Sequence, residues 1–174
     1  VHRSGFGLGA GDLLWWPPST YNRREIAERL RFIPPATSFR TAYAYDNVLY
    51  LIAGEVIEAM SGESWEDFVS DRILKKAGMT TSTVRHSDAL SASNVAAPHA
   101  PLDGVVKPVK PFDSDNTNPA GGINSNAVDM AKWMLVLLGN GRLADGTRLF
   151  SDATGRELTT LVTPIPIGTP PTEL

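Results

Sequence analysis

The sequence predicts an α+β fold, mainly α, with one small antiparallel β-hairpin. Three observations carry this. Stretches starting near Asn22, Asp46, Ser64 and Ser125 each join a helix-start signal to apolar residues at near-helical spacing. β-leaning residues are confined to 80–112, where Leu102-Asp103-Gly104 supplies a strong hairpin turn. The stretch from Asn47 to Met60 is almost wholly apolar, with Glu55 and Glu58 as its only charges. A helix so poor in polar residues must be buried on most sides.

The bulk numbers bound the function. A chain of 174 residues is long enough for one domain with a sizeable core. Its net charge of −3, without a basic run, argues against nucleic acid as a partner. Without Cys, disulfides and thiolate metal sites are excluded. No apolar run approaches the ~20 residues of a membrane helix, so no transmembrane segment is expected. The first residues lack a signal-like pattern, the last are Pro-rich, and both ends read as cut from something longer.

In chain order, residues 1–21 form a Gly- and Trp-rich loop. Gly5-Phe6-Gly7-Leu8-Gly9-Ala10 formally fits a dinucleotide fingerprint, but no strand precedes it and Trp15-Trp16-Pro17-Pro18 forbids the helix that must follow. It reads as a loop pinned by its indoles, with Trp15 or Trp16 as candidate substrate gates. Residues 22–79 are helical. Asn22-Arg23-Arg24-Glu25 is a capping box for a helix from Arg23 to Phe32, ended by Pro34-Pro35. Asp46 is the expected N-cap of the central helix, and Ser61-Gly62 its exit. Ser64 starts a further helix packed beside it, closed by Gly78.

Residues 80–112 are the β-leaning segment. A short strand is expected over Thr81–Val84, and hairpin arms over Asn94–His99 and Val105–Val109, limited to edge pairing by Pro98, Pro101 and Pro108. Residues 113–162 return to helix. Asp113-Ser114-Asp115 reads as a solvated loop, and Asn118 to Gly122 as a turn. Ser125 is the expected N-cap of a helix reaching Leu138 and ended by Gly139-Asn140-Gly141. Leu143 to Phe150 is a loop, and Ser151 starts a last helix over Asp152–Leu161. Residues 163–174 are the Pro-rich tail.

Chemistry fits best at the head of the central helix. Residues two apart in an extended segment share a side, so Tyr45 and Asn47 face one cleft while Asp46 turns back. A phenol beside a helix N-terminus feels a positive partial charge, and a primary amide both donates and accepts. The pair suits acid/base work on an acyl group. Tyr-x-Asn is also short enough to be a half-buried aromatic followed by a first-turn polar residue. The three His, at 2, 86 and 99, read as surface or satisfied residues, and His86-Ser87-Asp88 lacks a third metal ligand.

Tyr45-Asp46-Asn47, followed by a buried helix and Ser61-Gly62, resembles the Tyr-x-Asn element of the class C β-lactamase-like serine hydrolases. That family includes D-alanyl-D-alanine carboxypeptidases and esterases. His2-Arg3-Ser4-Gly5 is similar to its His-x-Ser-Gly turn. Ser64 to Met79 resembles the helix ending in Leu-Gly-Met, with Ala77 in place of Leu. Ala120 to Trp133 resembles Gly-Gly-x-x-Ser-x-x-x-Asp-Met-Ala-x-Trp. Four weak motifs in the right order, over nearly the whole chain, are far more specific than one.

The resemblance implies the helical subdomain of the β-lactamase/transpeptidase-like fold. It implies Tyr45 as general base and acid, Asn47 as binder of the substrate's acyl side-chain amide, and Gly121 and Gly122 along the cleft edge. It implies a small-molecule or peptide substrate, no cofactor and no metal, and a periplasmic or secreted location. Asp46 stands where the family often has Ser. Neither the family's Ser-x-x-Lys nor its Lys-Thr-Gly or His-x-Gly occurs in the chain. In the family these lie upstream and downstream of the matched stretch. The chain therefore reads as an internal fragment, inactive alone, whose apolar surface invites self-association. The alternative is a non-catalytic penicillin-recognition-type binding or scaffold module.

Overall fold

The computed structural model describes residues 1–112 and 114–165. Helices dominate, and the one sheet is a two-stranded antiparallel hairpin among the described residues. The expected α+β, mainly α class is what the chain adopts.

Helix α1 (Arg23–Arg29) begins in the predicted capping box. The Asn22 side chain accepts from the Glu25 amide, and the Glu25 carboxylate accepts from the Asn22 amide, both at 2.9 Å. A 3-10 turn over Leu30–Phe32 tightens its end before the prolines. Helix α2 (Val48–Ser61) is the central element, and Gly62, at φ 74°, ends it as expected. Only its first two turns are deeply enclosed. Val48, Leu51 and Gly54 are buried, while Met60 is 84% exposed, so burial on most sides holds for the front half alone. A Cβ on Gly54 would come within 2.6 Å of Pro119, which is why the chain can cross there only over a glycine.

Helix α3 (Trp65–Val69) is capped by Ser64 and runs into a π-helical turn, Ser70–Leu74, closed at Gly78. Among the described residues, two apolar clusters form the core. One gathers Ile26, Leu30, Val48 and Leu51, with Phe6 and Trp15 folded onto it. The other gathers Trp65, Val69, Leu74, Met79 and Val84, with Trp133 against it. The N-terminal loop is thus pinned by an indole, as read from sequence; Trp16 stays half exposed, edge-on to Phe112.

Several local expectations fail. Thr81–Val84 is not a strand: Thr83 makes one isolated antiparallel bridge to Asn124, and its neighbours bond to side chains instead. Helix α4 (His86–Leu90) lies inside the stretch read as β-leaning. Two of its first amides are met from far along the chain, by Asn118 and Asp115, so no local cap announces it. Asp115 is thereby a capping group rather than part of a purely solvated loop; Asp113 lies outside the described residues. The hairpin pairs β1 (His99–Leu102) with β2 (Val105–Pro108); beyond it one bond, from the Val109 amide to the Pro98 carbonyl at 2.9 Å, continues the pairing, and the arm is shorter than expected because Asn94–Ala97 stays exposed and outside any strand. Its turn is as read: Asp103 and Gly104 both have positive φ, the backbone a two-residue hairpin loop needs.

The turn at Asn118 is a single helical turn, α5 (Asn118–Gly121). Helix α6 (Ala127–Leu138) is capped by Asn126, not Ser125. The Asn126 side chain accepts from the Val128 and Asp129 amides, while the Ser125 hydroxyl pairs with Ser82. Helix α7 (Asp152–Thr159) starts at the expected Ser151 cap and stops two residues early. On α6, Val128, Met134, Leu135 and Leu138 remain exposed, a broad apolar face.

Candidate active site

The segment leading into α2 is held by residues far away in sequence. The Ala44 amide donates to the His2 carbonyl at 3.0 Å, and the Gly9 amide donates to the Tyr45 carbonyl at 3.0 Å. The Asp46 amide donates to His2 Nδ1 at 3.1 Å. Three successive residues are therefore fixed by the N-terminal loop. The His2 ring also stacks on Tyr45, with centroids 4.6 Å apart and planes at 21°, and meets Tyr43 and Tyr50 edge-on. Burial holds the His2 pKa below its ordinary value, which keeps Nδ1 free to accept.

Tyr45 is 47% exposed, so its ring is not lost in packing. Asn47 is half buried at the N-cap of α2, and its side chain makes no capping bond. Asp46 departs from expectation. It is fully buried, sits one residue before the cap, and neither carboxylate oxygen has a hydrogen-bond partner among the described residues. Burial, and next the charge of Asp12, push its pKa up to about 6; the nearby Val48 amide offsets them only partly. The side chain was expected to turn back and cap the helix; it is buried instead and makes no capping bond among the described residues.

Gly121 and Gly122 line a pocket of about 270 Å³ with His86, Phe112 and Asn118. Tyr45 and Asn47 are not among its lining residues, so this pocket does not join the two pairs. Gly122 has a steric reason to be glycine: a Cβ there would lie 2.5 Å from the Asn118 Cα. Among the described residues, no three His, Asp or Glu side chains gather as a metal site, and no helix is long and apolar enough to cross a membrane.

Sequence reading missed a buried polar hub among the helices. Arg23 donates to Glu58 at 2.9 Å and to Glu66 at 2.5 Å, and Asn118 donates to Glu66 at 2.9 Å. The hub ties α1, α2, α3 and α5 together. Its one sequence signal was Glu58, one of two charges in an otherwise apolar helix. It missed His2 as well, although the ring lies against the candidate base.

Comparison with known proteins gives the family and the fold. The family model described as Beta-lactamase matches residues 1–168. An unguisins hydrolase of Aspergillus violaceofuscus is 30% identical over 121 residues, 66% of this chain and 21% of that protein. The octameric penicillin-binding protein homologue from Pyrococcus abyssi superposes with a TM-score of 0.74 at 20% identity, covering 95% of this chain and 38% of that one. A D-stereospecific amidohydrolase from a Streptomyces species gives 0.72 at 21% identity, covering 94% and 50%. The chain thus spans half or less of each of these relatives. The two structural likenesses speak for the fold, and the match along nearly the full length speaks for descent: the chain belongs to the Beta-lactamase family of serine hydrolases.

Proposed function

We propose that this chain, a single domain-sized piece of a longer serine hydrolase, supplies one wall of an acyl-transfer site. Tyr45 takes the proton from an attacking serine hydroxyl carried outside residues 1–174 and returns it to the leaving group. Asn47 binds the amide of the acyl side chain, and Gly121 and Gly122 border the cleft. The observation that carries this reading is a half-exposed phenol whose backbone is fixed on both sides at the head of a helix buried in its first two turns. A base must be held in place to be useful, and it must reach solvent-borne substrate. The substrate class is a β-lactam, a D-amino-acid peptide or an ester. The names of the structural relatives, a penicillin-binding protein homologue and a D-stereospecific amidohydrolase, lean toward an amide. The exposed face of α6 is the surface by which the chain taken alone would self-associate.

The test uses the parent protein with nitrocefin and a p-nitrophenyl ester. Tyr45→Phe is expected to lower kcat by about 10²- to 10⁴-fold, the usual range for losing a positioned acid/base. The 174-residue chain alone is expected to show no turnover. Full activity in Tyr45→Phe would remove Tyr45 from the chemistry. A parent with no Ser-x-x-Lys upstream would hand the fold to a non-catalytic binding module.

A further inference from the structure

We propose that His2 is the positioning residue of Tyr45, fixing the phenol through two independent contacts made by one ring. The inference rests on the reading of Tyr45 as acid/base, and adds how that group is aimed. The first contact is electrostatic. Nδ1 accepts the Asp46 amide at 3.1 Å, which locks the peptide immediately after Tyr45. It also fixes the tautomer, since a nitrogen that accepts cannot carry the proton, and the hydrogen of neutral His2 sits on Nε2. The second contact is dispersive. The imidazole plane lies 21° from the Tyr45 ring at 4.6 Å, an offset-stacking distance, so the phenol cannot swing about χ1 without losing it.

The His2 ring is itself braced. Tyr43 and Tyr50 abut it edge-on at 5.6 and 5.3 Å, and its own carbonyl accepts the Ala44 amide. Tyr50 belongs to α2, so the ring is braced by the same helix whose head carries the candidate site. A side chain that only filled space would need neither the ring orientation nor the acceptor atom. Here both are used, and both act on residues 45 and 46. His2 touches no substrate in this scheme. Its effect is transmitted through Tyr45, and misplacing a reacting group by about 1 Å can cost roughly 10² in rate.

The two contacts can be separated by substitution. His2→Asn keeps an acceptor near the Nδ1 position and loses the ring. His2→Phe keeps the ring and loses the acceptor. His2→Ala loses both. In the parent, with a p-nitrophenyl ester and nitrocefin, His2→Ala is expected to lower kcat about 100-fold with KM within about twofold. The Asn and Phe variants are each expected to recover about tenfold of that loss. In parallel, the ring resonances of selectively labelled Tyr45, identified by their absence in Tyr45→Phe, should move downfield in His2→Ala and stay nearer their place in His2→Phe.

A His2→Ala protein with kcat within twofold of the parent would overturn the proposal. So would losses that track thermal stability, raise KM equally and show no recovery in either partial variant. If His2→Ala does not fold, the Asn and Phe pair decides alone. If Tyr45→Phe keeps full activity, the acid/base reading falls by itself. The Tyr45 resonance then still decides whether His2 sets that ring: an unmoved signal sinks the positioning claim, and a downfield shift upholds it.

Discussion

Asp46 and Asp129 are both buried, and the chain treats them in opposite ways. Asp129, on the first turn of α6, accepts the Thr81 amide at 2.9 Å, the Thr81 hydroxyl at 2.8 Å and the Ser82 hydroxyl at 2.9 Å, and Lys132 lies 2.8 Å from its other oxygen. The Lys132 bond first, then the Thr81 and Ser82 bonds, outweigh the cost of burial and hold its pKa far below the usual carboxylate range. Asp46 has no such set of donors among the described residues, and burial with the charge of Asp12, offset only partly by the nearby Val48 amide, raises it to about 6. Burial therefore says nothing about the charge state of a carboxylate until its donors are counted. The difference is also one of place. The satisfied carboxylate clamps two pieces of scaffold, and the unsatisfied one sits directly under the candidate site, where stored strain is tolerated for function.

The largest expected effect comes from turning a satisfied carboxylate into an Asp46-like one. Glu66 is nearly as enclosed as Asp129 and depends on Arg23, whose guanidinium also holds Glu58. Arg23→Met keeps much of the side-chain volume and removes the charge, leaving Glu66 with the Asn118 amide as its remaining side-chain donor among the described residues. Removing one partner of a buried ion pair costs about 3–5 kcal/mol. Urea unfolding should show a loss of that order in the chain that carries α1 to α3. A loss under about 1 kcal/mol would break the rule that partners, not burial, set the state of these carboxylates.

The next effect runs the other way. Asp46 has a pKa of about 6 in the folded chain against 3.8 for the free side chain, so folding takes up a proton. The stability tied to that proton is fully present below pH 3.8 and is lost as the pH rises through about 6. At pH 8 the folded chain must bury an unpartnered charge. Asp46→Asn removes that charge without changing the shape. It should stabilise the protein by about 3 kcal/mol at pH 8, a gain that fades to nothing below pH 4. The same substitution at Asp129 should destabilise at pH 8, because there the charge is wanted. Equal signs at the two sites would erase the distinction drawn between them.

What was legible in the sequence follows from how local each signal is. The Asn22–Glu25 capping box, the Gly62 exit, the Asp103-Gly104 turn and the Ser151 cap each act within about four residues, and each stands where the pattern put it. The misses depend on partners distant in sequence. Helix α4 is started by Asp115 and Asn118, about thirty residues on. Thr81 and Ser82 leave the expected strand because Asp129 takes their donors. At the candidate site, the residue types at 45 and 47 were visible, but the burial of Asp46 in place of its expected capping was not. That His2 lies flat on Tyr45 was not, since forty-three positions separate them and only the folded loop brings the rings together.

The smallest expected effect tests how finely the Asp129 side of the comparison is built. Ser125 and Asn126 are adjacent polar residues at the start of α6, and both are ordinary N-cap types. Only Asn126 does the capping: its Oδ1 accepts the Val128 amide at 3.0 Å and the Asp129 amide at 3.1 Å, and its Nδ2 donates to the Thr81 hydroxyl at 2.6 Å. Ser125 makes one exposed hydroxyl contact to Ser82. Asn126→Ala should therefore cost about 1–2 kcal/mol, the upper range for losing a cap, because it also frees the hydroxyl that grips Asp129. Ser125→Ala should stay within about 0.5 kcal/mol. Chemical denaturation of the two variants side by side measures the gap. If the two substitutions cost the same, the cap is shared, and the Asp129 clasp draws on the Thr81–Ser82 turn alone.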